Sequence, residues 1–323
     1  MSYAESIDLI MLSKGDKKMY DNIEFIIACG GKSTRNFPHS KSVAHKCLLP
    51  FGDVRLIDYV LKDIIKIGGR HVTIVCSDET TIEAFKQALE SSPAVEEKLR
   101  KSGKGKIADV LKSTYLPEDM DVKYVIQNKP WGTSHVLGLA HRASPTRHGI
   151  LIFPDDLIDS SAAPVPYIKK LLDAFMKNQK QILLTGVEKE DVSNNAILQD
   201  KRLIEKPKHP RSHIAGYSPV IFPKACLDSI ERETSVIEKM GHLPESLPLG
   251  EWVYTDGINS FLDNGGETDG YYVKMFMLDT SEYEMLDTGN LELYEAAQIR
   301  ELLINSVFME KNREIARRLL AKE

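Results

Sequence analysis

Apolar runs alternate with amphipathic stretches along most of the chain. The first, Ile23-Glu24-Phe25-Ile26-Ile27-Ala28, ends in glycines and predicts a buried strand feeding a loop. From Leu56 to Ile67 apolar residues recur at helical spacing and stop at Gly68-Gly69, and His71-Val72-Thr73-Ile74-Val75-Cys76 reads as the next strand. That completes one βαβ unit. The same rhythm predicts a helix over 79–90, a strand over 122–127, a helix from Thr133, and a strand Ile150-Leu151-Ile152-Phe153 closed by Pro154-Asp155-Asp156. A helix over 167–176 and a strand over 182–187 follow. Such alternation implies an α/β fold: a doubly wound, Rossmann-like, mixed but mostly parallel sheet flanked by helices. Its ligand crevice should lie at the carboxyl ends of the strands, near the topological switch.

Two stretches break the rhythm. Residues 93–121 are charged and helix-rich and read as an insertion without a large core of its own. From Leu203 short strands and loops are expected to dominate, a small β-rich portion, until helical periodicity returns over 291–320 through Leu293, Ala297, Leu302, Val307, Ile315 and Leu319. That last amphipathic face suits a helix covering its own domain and an oligomer contact equally well, because periodicity identifies a buried face but not whose surface buries it. The organisation expected is an N-terminal extension (1–22), a main domain (23–290) divided into halves at 187/188, and a C-terminal helical segment (291–323).

Composition narrows the partners. With 42 Lys+Arg against 47 Asp+Glu in 323 residues, the net charge of −5 gives no global support for a nucleic-acid surface or an anionic membrane face. No stretch has the length and apolarity of a membrane span, and the first residues lack the apolar core of a leader peptide, so a soluble cytoplasmic protein is expected. Cys29, Cys47, Cys76 and Cys226 show neither C-x-x-C spacing nor histidines at zinc-finger intervals, which argues for reduced thiols over a disulfide framework or a metal knuckle.

Against this acidic background one segment is conspicuously cationic. No Asp or Glu occurs between Glu24 and Asp53, while Lys32, Arg35, Lys41 and Lys46 fall inside the gap, just after Gly30-Gly31. Glycines let backbone amides approach phosphate oxygens, and clustered cations neutralise a polyphosphate in a partly dry crevice. A tight turn carrying solvated basic side chains would look the same if this loop stood alone.

It does not stand alone. The run Gly30-Gly31-Lys32-Ser33-Thr34-Arg35, with Pro38, Lys46, Leu49 and Pro50 downstream, resembles the N-terminal motif of the sugar-nucleotide pyrophosphorylases, G-x-G-T-R followed by P-K-x-L-x-P. Further matches occur in order: Gln127 with Gly132-Thr133-Ser134-His135, Phe153-Pro154-Asp155-Asp156-Leu157-Ile158, Glu205-Lys206-Pro207-Lys208, Gly250-Glu251 before Thr255-Asp256, and Asp287-Thr288-Gly289. Within the family, the 93–121 insertion and the Gly-x-x-His and Pro-Asp-Asp-Leu-Ile elements are most similar to bacterial UTP–glucose-1-phosphate uridylyltransferases. Two departures stand out: Ser33 replaces the second motif glycine, and His45 replaces the proline before Lys46, with one extra residue in the loop. That extra residue leaves Lys41 as an alternative for the lysine position, although Leu49-Pro50 favours Lys46.

The resemblance implies a nucleotide-diphospho-sugar transferase fold. It also implies a reaction in which glucose-1-phosphate attacks the α-phosphorus of UTP and expels pyrophosphate, in a homodimer or homotetramer. Arg35 and Lys46 would be catalytic, on the triphosphate; Gly30, Gly31, Gln127 and Gly132 would bind the nucleotide; Glu205, Lys206, Gly216 and Glu251 would bind the sugar phosphate; Asp155 and Asp287 would hold Mg2+. Each has a plainer reading too, since an Asp at a strand end is common helix-cap chemistry and Asp-Thr-Gly is common turn chemistry. Gln127 can pair with the imide edge of uracil or thymine alike. A sibling using dTTP or another sugar-1-phosphate, and a nucleotide-sugar sensor without turnover, are the alternative readings.

Overall fold

In a computed structural model the described residues are 20–247 and 249–321, so the expected extension lies outside them apart from residues 20–22. The strands are β1 (Ile23–Cys29), β2 (Pro50–Phe51), β3 (Val54–Arg55), β4 (His71–Cys76), β5 (Asp121–Ile126), β6 (His148–Ile152), β7 (Asp156–Asp159), β8 (Gln181–Glu188), β9 (Ala196–Gln199), β10 (Arg202–Glu205), β11 (Ile214–Phe222), β12 (Tyr272–Met277) and β13 (Glu284–Asp287). The helices are α1 (Leu56–Lys66), α2 (Glu79–Leu89), α3 (Pro93–Lys101), α4 (Gly105–Ser113), α5 (Thr133–Ala143), α6 (Tyr167–Lys177), α7 (Lys224–Met240), α8 (Tyr254–Phe261), α9 (Leu291–Ile304) and α10 (Met309–Leu320).

Nine strands form the central sheet, in the order β10-β9-β11-β6-β1-β4-β5, with β8 on β11 and β12 on β8. β1 pairs in parallel with both β4 and β6, and β4 with β5. β11 then runs antiparallel to β6 and β8. The sheet is mixed, as the sequence predicts. Alternate residues of β1 point to opposite faces: Phe25 and Ile27 join the core under α1, α2, α6 and α9, whereas Ile26 joins the core under α5, α7 and α8. A strand covered on both sides needs apolar residues at nearly every position, which is why β1 reads as a continuous run.

The chain winds outward from β1 through β4 to β5 and then returns to β6 on the other side of β1. The carboxyl ends of β1 and β6 are therefore neighbours at the point where the winding reverses, and this puts the cationic loop beside Asp155. A separate ribbon of β7 and β13 sets Asp287 opposite Asp156.

The stretch beyond Leu203 departs from expectation. Residues 224–240 form α7, the longest helix among the described residues, and residues 254–261 form α8. α7 buries Cys226, Leu227, Ile230, Thr234 and Ile237 at helical spacing, but the charged residues between them dilute the stripe. Gly241, at φ +78°, ends it. The final stretch is two helices, not one, because Asp53 accepts hydrogen bonds from Ser306 Oγ (2.8 Å) and Val307 N (2.6 Å) and holds a turn between them. α9 buries Tyr294, Ala297 and Glu301 against its own domain, while α10 buries none of its residues.

Candidate active site

The cationic loop is shaped by Ser33, whose φ of +55° lies in the left-handed region. A glycine adopts that conformation freely, which accounts for the motif's preference; a serine costs on the order of 1 kcal/mol there. Ser33 compensates with its hydroxyl, which accepts a hydrogen bond from the Lys46 amide (3.1 Å), while its carbonyl accepts from Ser40 Oγ (2.6 Å). The two ends of the loop are thus tied together just behind Lys46.

Lys46 Nζ donates to Asp155 Oδ2, and the Arg35 guanidinium stands 4.0 Å from the same oxygen. Lys46 and Asp155 are 13% and 15% exposed, whereas Arg35 is 74% exposed and free to swing toward an incoming anion. Of the two lysines that the sequence left as alternatives, Lys41 is exposed on its own short turn, whereas Lys46 reaches Asp155. Burial pushes the Asp155 carboxyl up, but Lys46 and then Arg35 outweigh it and hold Asp155 below the usual carboxylate range.

Asp287 comes to the same place from the other end of the chain. A Cβ on Gly289 would lie 3.0 Å from Asp287 Oδ1, 3.4 Å from Asp155 Oδ2 and 4.0 Å from an Arg35 nitrogen, so the three groups surround one point. The register is fixed by the Thr288 amide donating to the Asp155 carbonyl (2.8 Å) and by Asn36 Nδ2 donating to the Thr288 carbonyl (3.1 Å). Asp156 turns away, accepting from the Ser218 amide (3.2 Å). Burial, then the charge of Asp155 and that of Asp287, push Asp156 up to about 8.

On the nucleotide side, Gln127 follows β5, and a Cβ on Gly30 would come within 2.5 Å of its Oε1. A side chain at residue 30 would therefore displace the glutamine amide, while nothing lies within 4 Å of where a Cβ on Gly31 would sit. Gln127 Nε2 donates to the Gly132 carbonyl (2.9 Å) and lies 3.3 Å from His135 Nδ1, so His135 helps to orient it. Gly132, at φ +102°, packs on the Trp252 backbone, where a Cβ would approach within 2.5 Å.

On the other side, Glu205 ends β10 and its Oε2 is buried without a hydrogen-bond partner. Burial raises its pKa, with Lys206 opposing. Lys206 itself is exposed, at φ +48°, its amide held by the Asn195 carbonyl (3.1 Å). Burial raises the Tyr254 hydroxyl, and both Glu205 and Asp156 add to that shift, which joins the β10 end to the aspartate cluster electrostatically. Gly216 sits in β11, where a Cβ would crowd the Ala196 carbonyl at 3.1 Å, and Glu251 is exposed before Trp252.

Tyr254 and Lys189 escape the sequence reading. Lys189 Nζ donates to the Tyr217 hydroxyl (3.0 Å); that bond raises its pKa, and Asp287 adds to the effect. In the sequence Lys189 sits among glutamates and looks like any solvated charge. A third feature is hidden by spacing: Cys29, His45 and Cys47 converge beneath the loop, their ligand atoms within 4.8 Å of one another.

Several comparisons bear on this geometry. The family model described as nucleotidyl transferase matches residues 24–243. Agl11, a low-salt glycan biosynthesis nucleotidyltransferase of Haloferax volcanii, is 21% identical over 284 residues, covering 85% of this chain and 67% of its own length. A glucose-1-phosphate thymidylyltransferase of Streptomyces antibioticus is 25% identical over 182 residues, covering 54% of this chain and 46% of its own. The chain therefore spans less than half of that relative. Among solved structures, a UDP-glucose pyrophosphorylase from Acinetobacter baumannii superposes with a TM-score of 0.72 at 16% identity, covering 93% of this chain and 100% of that one. An apo UDP-glucose pyrophosphorylase gives 0.68 at 18%, covering 87% and 97%. At these identities the structures attest to the fold. Among the described residues no helix is long and apolar enough to cross a membrane.

Proposed function

The chain belongs to the nucleotidyl transferase family, and from that footing we propose that it transfers a uridylyl group from UTP to glucose-1-phosphate, giving UDP-glucose and pyrophosphate. The observation that carries this reading is the meeting of Arg35, Lys46, Asp155 and Asp287 around one point at the carboxyl ends of β1 and β6. The reaction is an in-line displacement between anions, so its main obstacle is electrostatic and fixed charges should supply most of the acceleration. No covalent nucleophile is required.

Arg35, exposed at the mouth of the loop, would grip the triphosphate and draw it into the crevice. Lys46 would leave Asp155 in part and stabilise the charge that builds on the leaving pyrophosphate. Gln127, oriented by Gly132 and His135, would read the base edge beside Gly30 and Gly31. Glu205 and Glu251 would hold sugar hydroxyls, Lys206 the sugar phosphate, and Gly216 would leave the backbone open to the sugar.

Mg2+ fits the residues present. Two carboxylates from separate elements converge on one point, and hard oxygen donors that leave room for phosphate and water suit a divalent cation of this kind. Asp155 and Asp287 would hold it. When bound it would neutralise phosphate charge and keep the α-phosphorus electrophilic.

Uracil and glucose are favoured by the 93–121 insertion and by Gly132–His135 and Pro154–Ile158, which resemble the uridylyltransferase branch. The test is pyrophosphate release with Mg2+ across UTP and dTTP, each with a panel of sugar-1-phosphates. The expected result is fastest release from UTP with glucose-1-phosphate. Faster release from dTTP would move the protein to the thymidylyl branch; binding of UDP-glucose with no pyrophosphate from any pair would make it a sensor.

A further inference from the structure

We propose that Cys29, His45 and Cys47 form a buried site for a soft divalent cation, zinc in particular, that clamps the two ends of the phosphate loop together beneath Lys46. The three residues lie outside the substrate crevice and take no part in the transfer derived above.

The geometry suits such an ion. The two sulfur atoms are 3.6 Å apart, close to the separation of about 3.8 Å that two Zn–S bonds of about 2.3 Å span at a tetrahedral angle. All three ligand atoms lie within 4.8 Å of one another. The His45 ring is fully enclosed: its Nδ1 faces the Cys47 amide at 3.3 Å, and its Nε2 has no hydrogen-bond partner. A buried polar atom left without a partner is unusual in a folded protein, and coordination through Nε2, with the Nδ1–H turned from the amide to a carbonyl, would remove the anomaly.

Cys76, outside the converged trio, is the neighbour that would supply a fourth donor. Its Cα pairs with that of Cys29 across β1 and β4, and it is buried in the same core. A rotation of its side chain would complete a Cys3His set, the closed composition typical of structural zinc. Cys226 lies in the opposite core and belongs to no such cluster.

What the ion would do follows from its position. Cys29 immediately precedes Gly30-Gly31, and His45 and Cys47 flank Lys46, so one cation would close the loop 30–44 and fix the backbone that presents the lysine. Because the ligands are wholly buried, loading would accompany folding and not follow it.

The full chain produced in zinc-supplemented medium, purified without chelator and under reducing conditions, is expected to carry about one zinc per molecule by elemental mass spectrometry. Refolded with Co2+, it is expected to show the thiolate-to-cobalt charge-transfer band and the intense visible bands of tetrahedral cobalt. Cys47→Ser and Cys29→Ser should lose the metal and the bands, and Cys226→Ser should keep both. Should the serine variants fail to fold, the wild-type cobalt spectrum still decides. Absence of zinc together with absence of thiolate–cobalt bands in the wild type would overturn the proposal, as would metal retained in both serine variants. A Cys29–Cys47 disulfide recovered from metal-free protein after purification without reductant would overturn it as well, in favour of a redox pair.

Discussion

Lys46 is held at both ends, its Nζ donating to Asp155 in front and its backbone amide to the Ser33 hydroxyl behind. Lys46→Ala is expected to lower kcat by about 10²- to 10³-fold, in line with the loss of one preorganised charge donor, with circular dichroism unchanged; steady-state pyrophosphate release checks it. Lys206→Ala should act on the other substrate and raise KM for glucose-1-phosphate. Unchanged KM and kcat would remove Lys206 from the sugar-phosphate site. Ser33 offers a subtler test. Ser33→Ala keeps the left-handed φ and loses the bond to Lys46, whereas Ser33→Gly loses the bond but relieves the backbone. Urea unfolding should find the alanine variant less stable than the glycine one by about 1 kcal/mol; equal stability would mean that residue 33 is not held at positive φ. The motif identifies Arg35, Lys46, Asp155 and Asp287 from the sequence because each belongs to a fixed local pattern. Tyr254 and Lys189 are not legible, since only the fold brings them near the carboxylates, and the Cys29–His45–Cys47 cluster depends on a loop whose closure no spacing rule encodes.

Among the elements, α9 does work that its periodicity leaves undecided between an intramolecular and an oligomer role. It clasps the β2–β3 hairpin that follows Lys46: the Tyr294 hydroxyl donates to the Pro50 carbonyl, and Gln298 Oε1 accepts from the Gly52 amide at 2.8 Å. Gly52 takes φ +61° against the Glu301 side chain. Burial, with Asp159 adding to it and Asn305 opposing, lifts Glu301 to about 6, above its ordinary value of 4.5. A carboxyl raised on folding binds its proton more tightly in the native state, so its contribution to stability is lost as pH rises from about 4.5 through 6. Glu301→Gln should therefore be more stable than wild type at pH 7.5, by on the order of 2 kcal/mol, and show no such advantage at pH 4. Thermal unfolding across that range tests it; a difference independent of pH would contradict the shift. The strands and helices of the first half are readable because each is covered by the sheet's two cores and repeats its period cleanly. α7 is not, because alternating charge dilutes a stripe that only the facing α5 and α8 make coherent.

At the scale of the molecule, residues distant in sequence meet because β1 and β6 are parallel neighbours and the β7–β13 ribbon folds Asp287 back onto the start of that crevice. The account stands on Asp155 and Asp287 acting together at one place. The most direct measurement is a double-mutant cycle on kcat/KM for pyrophosphate release in saturating Mg2+, using Asp155→Asn, Asp287→Asn and the pair. If both carboxylates serve one ion, each single change removes most of the activity and the double variant is scarcely worse than the poorer single one. Losses that multiply, or near-normal turnover in either single variant, would show that the two aspartates do not share a centre.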